Sequence, residues 1–524
     1  MIPAADRPRH RPVIAWLAAS LVALFVLAGC GFQPGTDVDD GVAQRPLAVP
    51  PLAPYNETVD GARVFDLTAQ SGQTDFGMGG PADTIGLNQS YLGPTLRMQR
   101  GQEVMVNVTN ELDEMTTVHW HGMRVPAPMD GGPHQMVEPG RTWQPTWTVD
   151  QPAATLWYHS HPHGQTAQQV YRGLAGMLLV DDPANDPGGL PSEYGVDDFP
   201  LIVQGKGFAS DGQLVVDPEG QASTGFLGDT LVVNGTVAPY LDVTAEAVRL
   251  RILNASNARV YDFGLEDGRE FDLIASDGGL LEEPVRLDRV QLSPAERAEI
   301  VVRLEPGERV TVKSYPPDLG SWISTQNRFG GGTFSVVELR AAADLTSAPE
   351  VPAVLADIPR LDPAQVQQTR QFRISGRAIN GRPMDMGRID EVVTVDEVEI
   401  WEITNQDPQP HNFHAHDVQW QVLDVDGVAP SGYLEGWQDT VYVAPRTTVR
   451  VIMRFTEHTD ASWPYMFHCH LLWHEDIGIM GQFLVVEPGQ EPRPFQTVET
   501  AGLPAGRPVL PPDWCGDDDV IATA

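Results

Sequence analysis

Fourteen histidines occur in the chain, and ten of them fall in four short motifs. These are His119-Trp120-His121-Gly122, His159-Ser160-His161, His411-Asn412-Phe413-His414-Ala415-His416, and His468-Cys469-His470 followed by His474. Imidazole and thiolate at tight spacing ligate transition metals such as Cu, Zn or Fe rather than hard cations such as Mg or Ca. On a strand, residues i and i+2 point to the same side. Each His-X-His therefore offers two imidazoles to one face, and four such pairs supply eight nitrogens. Cys469, between two of those histidines, must point the other way, where its sulfur can meet His411 and His474. A trigonal His₂Cys set is the signature of an electron-transfer copper. Zinc, the usual occupant of mixed Cys/His sites, prefers closed tetrahedral sets and moves no electrons. The chemistry is redox: one site takes single electrons, and its covalent neighbours lead to another that can collect several.

The elements that must position these motifs read as strands. Val104, Val106 and Val108 alternate with Met105 and Asn107, and Val248, Leu250 and Ile252 with Arg249 and Arg251. Val449, Val451, Met453 and Phe455 alternate in the same way with Arg450, Ile452 and Arg454. Period-two patterns between turn signals predict an all-β chain of antiparallel sandwiches, each with one face buried. A repeat underlies them. His119 and His121 lie nine and eleven residues after Asn110, and His414 and His416 lie nine and eleven after Asn405. The same offsets from Asn254 give Phe263 and Leu265, so a middle copy has lost its pair. The expected boundaries are 55–183, 198–342 and 368–489, with an Ala/Pro/Asp-rich linker at 343–367 and a Pro-rich tail at 490–524.

Composition narrows the class. The 34 Lys and Arg against 71 Asp and Glu leave a formal charge of −37, which disfavours nucleic acid and anionic membrane surfaces as partners. The 50 Gly and 45 Pro imply many turns and few long helices. Three Cys cannot build a disulfide framework, and Cys515 reads as incidental. Arg7, Arg9 and Arg11, then an apolar run from Val13 to Ala28, form a secretory signal, residues 1–30. Leu27-Ala28-Gly29-Cys30 resembles the bacterial lipobox, which implies a lipid anchor at Cys30, and residues 31–54 read as a flexible tether. The expected location is the extracytoplasmic face of the cell envelope, with a lipid as the membrane contact.

With all four motifs present in order, the stretch from about residue 55 to 489 resembles the multicopper oxidases, and within them the three-domain bacterial copper-efflux oxidases, spore-coat laccases and bilirubin oxidases. The resemblance implies three consecutive cupredoxin-like Greek-key β-sandwich domains and four Cu ions. By that likeness His119 and His414 bind the type 2 copper. His121, His159, His161, His416, His468 and His470 bind the type 3 pair, and His411, Cys469 and His474 hold type 1. It also implies O₂ as one partner and a small reducing substrate or metal ion as the other, acting on a monomer. The motif-free middle repeat fits a central domain without copper, and Gly122 and Gly173-Leu174-Ala175-Gly176 look like the copper-efflux oxidases.

Reduction of O₂ to water consumes protons as well as electrons. Asp130, eleven residues after His119, matches the family acid beside the trinuclear cluster, and Glu475, directly after His474, matches a second acid on the proton path. His163 matches a non-ligand histidine, and His134 and His458, outside any motif, read as surface residues. The chain also departs from its relatives. Its 14 Met show no Met-rich run for capturing Cu(I). Asp407 matches an acid of the copper-efflux oxidases near type 1, a possible substrate contact, but Gln409 stands where they carry Met. At the type 1 axial position, ten residues after Cys469, the chain has Ile479, which cannot coordinate, with Met480 next to it. Two other functions compete with the oxidase reading: a copper-sequestering lipoprotein without turnover, which oxygen uptake would discriminate, and a relative of the copper-free cell-division proteins, which lack the ligands complete here.

Overall fold

The computed structural model describes residues 44–215, 225–320 and 331–493. The signal segment, Cys30, most of the tail and Cys515 lie outside the described residues. No helix among the described residues is long and apolar enough to cross a membrane.

The chain is all-β and forms three consecutive sandwiches. In the first, a sheet built on strands Arg63–Thr74 and Glu103–Asn110 faces a three-stranded sheet of Leu96–Gln99, Ala175–Asp181 and Ala154–His159. The second pairs a six-stranded with a seven-stranded sheet, and the third packs two five-stranded sheets. Each has an apolar core, filled in the third by Trp401, Phe413, Phe467 and Phe483. A further apolar cluster, including Trp157, Val170, Ile202, Leu253 and Leu472, spans all three sandwiches.

The pairing is not purely antiparallel. Strand Arg63–Thr74 runs parallel to Glu103–Asn110, Asp198–Lys206 to Ala247–Asn254, and Val366–Ser375 to Val398–Asn405. Hydrophobic alternation reports which face is buried and carries no information on strand direction, so a Greek key with parallel neighbours reads the same as a meander. Nor is one face always wet. Every residue of strand Ala247–Asn254 is buried. Arg249 and Arg251 lie there against Glu299 and Asp198, with Thr155 of the first sandwich bonded into the same group. The polar half of that pattern is an ion-paired contact between sandwiches, not a solvated face.

The repeat has a physical basis in three buried asparagines. The Asn110 amide donates to the carbonyls of Glu114 and Val137 (both 2.8 Å), and its Oδ1 accepts from Leu112 N–H. Asn405 does the same with Gln409, Val443 and Asp407. Asn254 does so with Arg259, Leu292 and Ser256, one residue later in its loop. One carboxamide thus shapes the loop after each strand, satisfying backbone groups that no ladder reaches. In the first and third copies that loop leads to a histidine pair; in the second, Phe263 and Leu265 enter the core instead.

Two segments expected to be loose are tied down. Residues 44–54 strap onto the body: Arg45–Pro46 pairs with Pro239–Ala245, Leu47 and Ala53 are buried, and Ala53 N–H donates to the Thr95 carbonyl (2.8 Å). In the expected linker, strand Phe334–Thr346 runs into its first residues, and Leu355 and Ile358 are buried. A few apolar side chains suffice to dock a Pro-rich segment that has little backbone entropy to lose.

Candidate metal centre

The four histidine motifs converge where the first and third sandwiches meet. Strand register starts the assembly: His414 pairs with His468, and His119 forms an isolated bridge with His159. Only part of the expected strand geometry holds. His411 and His414 lie within strand His411–Ala415, and His159 and His468 end theirs, but His121, His161, His416 and His470 sit in the turns and loops just beyond. All eight cluster histidines are at most 1% exposed. Across the junction, His119 stacks on His416 and His121 on His414, each at 3.8 Å between ring centroids.

Ring nitrogens gather in the middle. His161 Nε2 lies 3.2 Å from His468 Nε2, which lies 3.4 Å from His416 Nε2, and His470 Nε2 lies 3.4 Å from His159 Nε2. Buried nitrogens without a hydrogen-bond partner include His119 Nε2, His121 Nδ1 and His414 Nε2. Orphaned buried nitrogens are costly in a finished protein and are what a soft-cation site presents before the ion enters. Burial keeps the imidazoles of His121, His159, His161, His414, His416 and His470 well below their usual range, and His468 at about 3. They are neutral, with lone pairs free to bind a cation.

A second set lies on the other side of Cys469. His411 Nδ1 is 3.4 Å and His474 Nδ1 3.6 Å from Cys469 Sγ, and the two ring nitrogens are 3.2 Å apart. Burial would push the Cys469 thiol up, but His411 and His474 hold it down to about 5, so it is a thiolate at neutral pH. Burial would lower His411, yet Cys469 and Asp407 carry it up to about 9. Asp407 Oδ2 lies 3.2 Å from His411 Nε2 and also accepts from Gly376 N–H. Ile479 packs in the same apolar cluster as Cys469, whereas Met480 pairs with His468 and lines a separate cavity of about 170 Å³ with Asn380, Arg382 and Asp390.

Both expected acids touch cluster histidines. Asp130 Oδ2 is 2.6 Å from His416 Nδ1, and the Asp130 carbonyl is 2.9 Å from His119 Nδ1. Glu475, on helix α2 (Leu472–Asp476), places one carboxylate oxygen 3.2 Å from His161 Nδ1 and the other 3.3 Å from His468 Nδ1. Its neighbour Asp476 caps helix α1 (Thr166–Arg172) in the first sandwich, accepting from Thr166 and Ala167 N–H. Burial, and then Asp476, push the Glu475 carboxyl well up. His163 joins no cluster. His134 and His458 are not surface residues; both are half-buried, and His134 Nε2 meets Gln482 of the third sandwich at 2.5 Å.

Sequence reasoning missed Asn412 and Asp439. Asn412 Oδ1 accepts from His470 N–H (2.6 Å), while its amide donates to Ser293 and Pro294 of the second sandwich. Asp439 Oδ1 lies 3.1 Å from His121 Nε2. Asn412 stands inside a motif, where it reads as a spacer; Asp439 has no local signal, because His121 and Arg297, which its carboxylate meets, belong to two other sandwiches.

Family models described as multicopper oxidase match residues 68–185, 206–315 and 356–489. The chain belongs to the multicopper oxidase family. It is 35% identical over 449 residues to the multicopper oxidase mco of Staphylococcus haemolyticus, covering 84% of this chain and 92% of that one. It is 37% identical over 451 residues to the cell division protein FtsP of Escherichia coli, covering 84% and 93%. The solved structure of a laccase-like multicopper oxidase from Ochrobactrum sp. superposes with a TM-score of 0.77 at 35% identity, covering 84% of this chain and all of that one. Membership of the multicopper oxidases implies copper, and the buried imidazole and thiolate donors here fit it.

Proposed function

We propose that this protein oxidises a reducing donor one electron at a time and reduces O₂ to water with four such electrons. The observation that carries the reading is the complete donor set: eight convergent histidines and, one residue away, a His₂Cys set sharing a backbone with them. His411, Cys469 and His474 would hold a type 1 copper. His119 and His414 would hold type 2, and His121, His159, His161, His416, His468 and His470 the type 3 pair, four Cu ions in all. The coppers, when bound, supply the one-electron chemistry and the binding of O₂.

The chain's own residues do the rest. Cys469 lies between His468 and His470, so the two centres are joined through covalent bonds. Burial of all the donors excludes bulk water from the cluster. Asp130 holds His416 in one orientation, and Glu475 lies against His161 and His468, each carboxyl placed to hold or release a proton at the edge of the cluster. Asp407, half-buried on His411, marks where a donor would approach.

The sandwiches support the proposed division at 55–183, 198–342 and 368–489. The signal and lipobox favour export and anchoring at Cys30 outside the cytoplasmic membrane. The Ochrobactrum enzyme is described as acting on lignin model compounds and lignosulfonate, so phenols head the candidate donors, with Cu(I) and other metal ions beside them. Relatives named as cell division proteins favour a second reading without turnover, and a copper-sequestering lipoprotein is the form of it that keeps the complete donor set in use. Oxygen uptake with a panel of phenols, pyrroles, Cu(I), Fe(II) and Mn(II), with and without added copper, separates the two. Uptake with any donor supports the oxidase; none from the copper-loaded protein overturns it.

A further inference from the structure

We infer that the central sandwich, which supplies none of the proposed ligands, helps build the cluster through a positioning pair: Arg297 holds Asp439, and Asp439 sets the ring orientation of His121 and His414. The inference rests on the proposed assignment of those histidines as ligands.

Arg297 begins strand Arg297–Arg303 of the second sandwich, and its side chain is fully buried. A guanidinium has five N–H donors, and each finds an acceptor here. Nη1 and Nη2 grip Asp439 Oδ1 and Oδ2 at 2.7 and 2.6 Å. The other three reach the carbonyls of Thr155 in the first sandwich (3.0 Å), Ala295 (3.1 Å) and Asp277 (2.8 Å). Asp277 in turn receives the backbone N–H groups of Asp439 and Thr440 at 3.3 and 3.2 Å. With every donor engaged the fork is fixed in place, and Asp439 is held at its carboxylate by Arg297 and at its backbone N–H by Asp277.

From that fixed point two histidines are set in opposite senses. Asp439 Oδ1, which already accepts from Arg297, faces His121 Nε2 at 3.1 Å as an acceptor, so Nε2 carries the proton and the lone pair sits on Nδ1. The Asp439 carbonyl faces His414 Nδ1 at 2.8 Å, so His414 keeps its lone pair on Nε2. These two lone-pair nitrogens are among the buried atoms left without a protein hydrogen-bond partner. His119, His159 and His416 meet carbonyl or carboxylate oxygen through Nδ1, as His414 does, which leaves His121 turned the other way. Gly122 shows how closely the pair packs on this turn. A Cβ there would lie 2.7 Å from Asp439 Oδ2 and 2.9 Å from Arg297 Nη2, at a φ of +84°.

A purely structural ion pair between sandwiches is the competing explanation, and Glu299 supplies the control. It is a buried carboxylate bridging Arg249, Arg251 and Thr155 at the same junction, with no contact to a cluster histidine. In Asp439→Asn the amide must turn its NH₂ toward either an arginine N–H or His121 Nε2. The metal-free protein is read by ¹⁵N NMR of the histidine rings, and copper retention by competition with a chelator. Asp439→Asn should move the His121 proton to Nδ1 and weaken copper retention about 10–100-fold, the usual effect of losing a partner that orients a ligand. Glu299→Gln should retain copper like the parent. If Asp439→Asn fails to fold, Arg297→Lys, which keeps the charge but loses the fork, should show the same loss of retention to a smaller degree. Parental His121 tautomer and parental copper retention in the folded variant overturn the inference. The metal-free readout involves no turnover, so its outcome is independent of whether the oxidase reading stands.

Discussion

Asp130 Oδ2 stands 2.6 Å from His416 Nδ1, a contact between residues 286 positions apart that joins the first sandwich to the third. The same residue holds His119 through its backbone carbonyl. In Asp130→Asn the amide oxygen can still accept from His416, so copper content should be unchanged. What is lost is an ionisable group at the cluster edge. Reoxidation of the fully reduced enzyme by O₂, followed by stopped flow, should slow by roughly 10²-fold. Reoxidation at the parental rate would leave Asp130 as an orienting residue only.

Cys469 is the one free cysteine among the described residues, and its sulfur lies between His411 and His474. Blue colour in a His₂Cys copper arises from thiolate-to-metal charge transfer. Cys469→Ser should therefore be colourless and carry about three coppers instead of four, with the eight-histidine cluster filled. A blue Cys469→Ser protein is incompatible with the site.

The surroundings of the proposed type 1 site predict its potential. Ile479 is tied by its backbone to both neighbouring ligands, accepting from Cys469 N–H (3.0 Å) and donating to the His474 carbonyl (2.9 Å). Its side chain offers no donor atom, and an absent axial ligand destabilises Cu(II) more than Cu(I). Redox titration should show a lower potential in Ile479→Met and little change in Met480→Leu. A large rise in Met480→Leu, with no fall in Ile479→Met, would make Met480 the ligand.

Glu299 gives a pH-dependent term in stability. Burial alone would raise its carboxyl, but Arg249 and Arg251 carry it down to about 2. A folded value below the unfolded one of about 4.3 means that the stabilisation is complete above the unfolded value. It is then lost as pH falls through the folded one, an effect on the order of 3 kcal/mol. Denaturant unfolding of the metal-free protein should show the parent losing that much more than Glu299→Gln between pH 5 and 2. Parallel pH curves would show that Glu299 has no such shift.

Gly122 turns the chain at positive φ directly after His121, against Asp439, Arg297 and Leu156. Gly122→Ala combines backbone strain with overpacking and should cost about 2–4 kcal/mol in the metal-free protein. A melting temperature equal to the parent's would show that the turn can relax.

The sequence by itself determined the donors. His-X-His and Cys469 between two histidines are statements about neighbours, and local backbone geometry largely decides where neighbours point. The repeat around Asn110, Asn254 and Asn405 was legible for the same reason, since each carboxamide reshapes the few residues that follow it. Asp130 and Glu475 were found through their resemblance to a family pattern, but not what they touch. Only the tertiary structure decided that Asp130 serves His416, that Asn412 ties the Cys469 segment to the second sandwich, and that Arg297 stands behind Asp439. It also decided strand direction and the docking of residues 44–54. These features depend on packing between segments that are distant in the chain, and alternation records burial but not the partner that causes it. The buried Arg249 and Arg251 show this most plainly: in the sequence they mark a wet face, and in the fold they meet carboxylates from other strands.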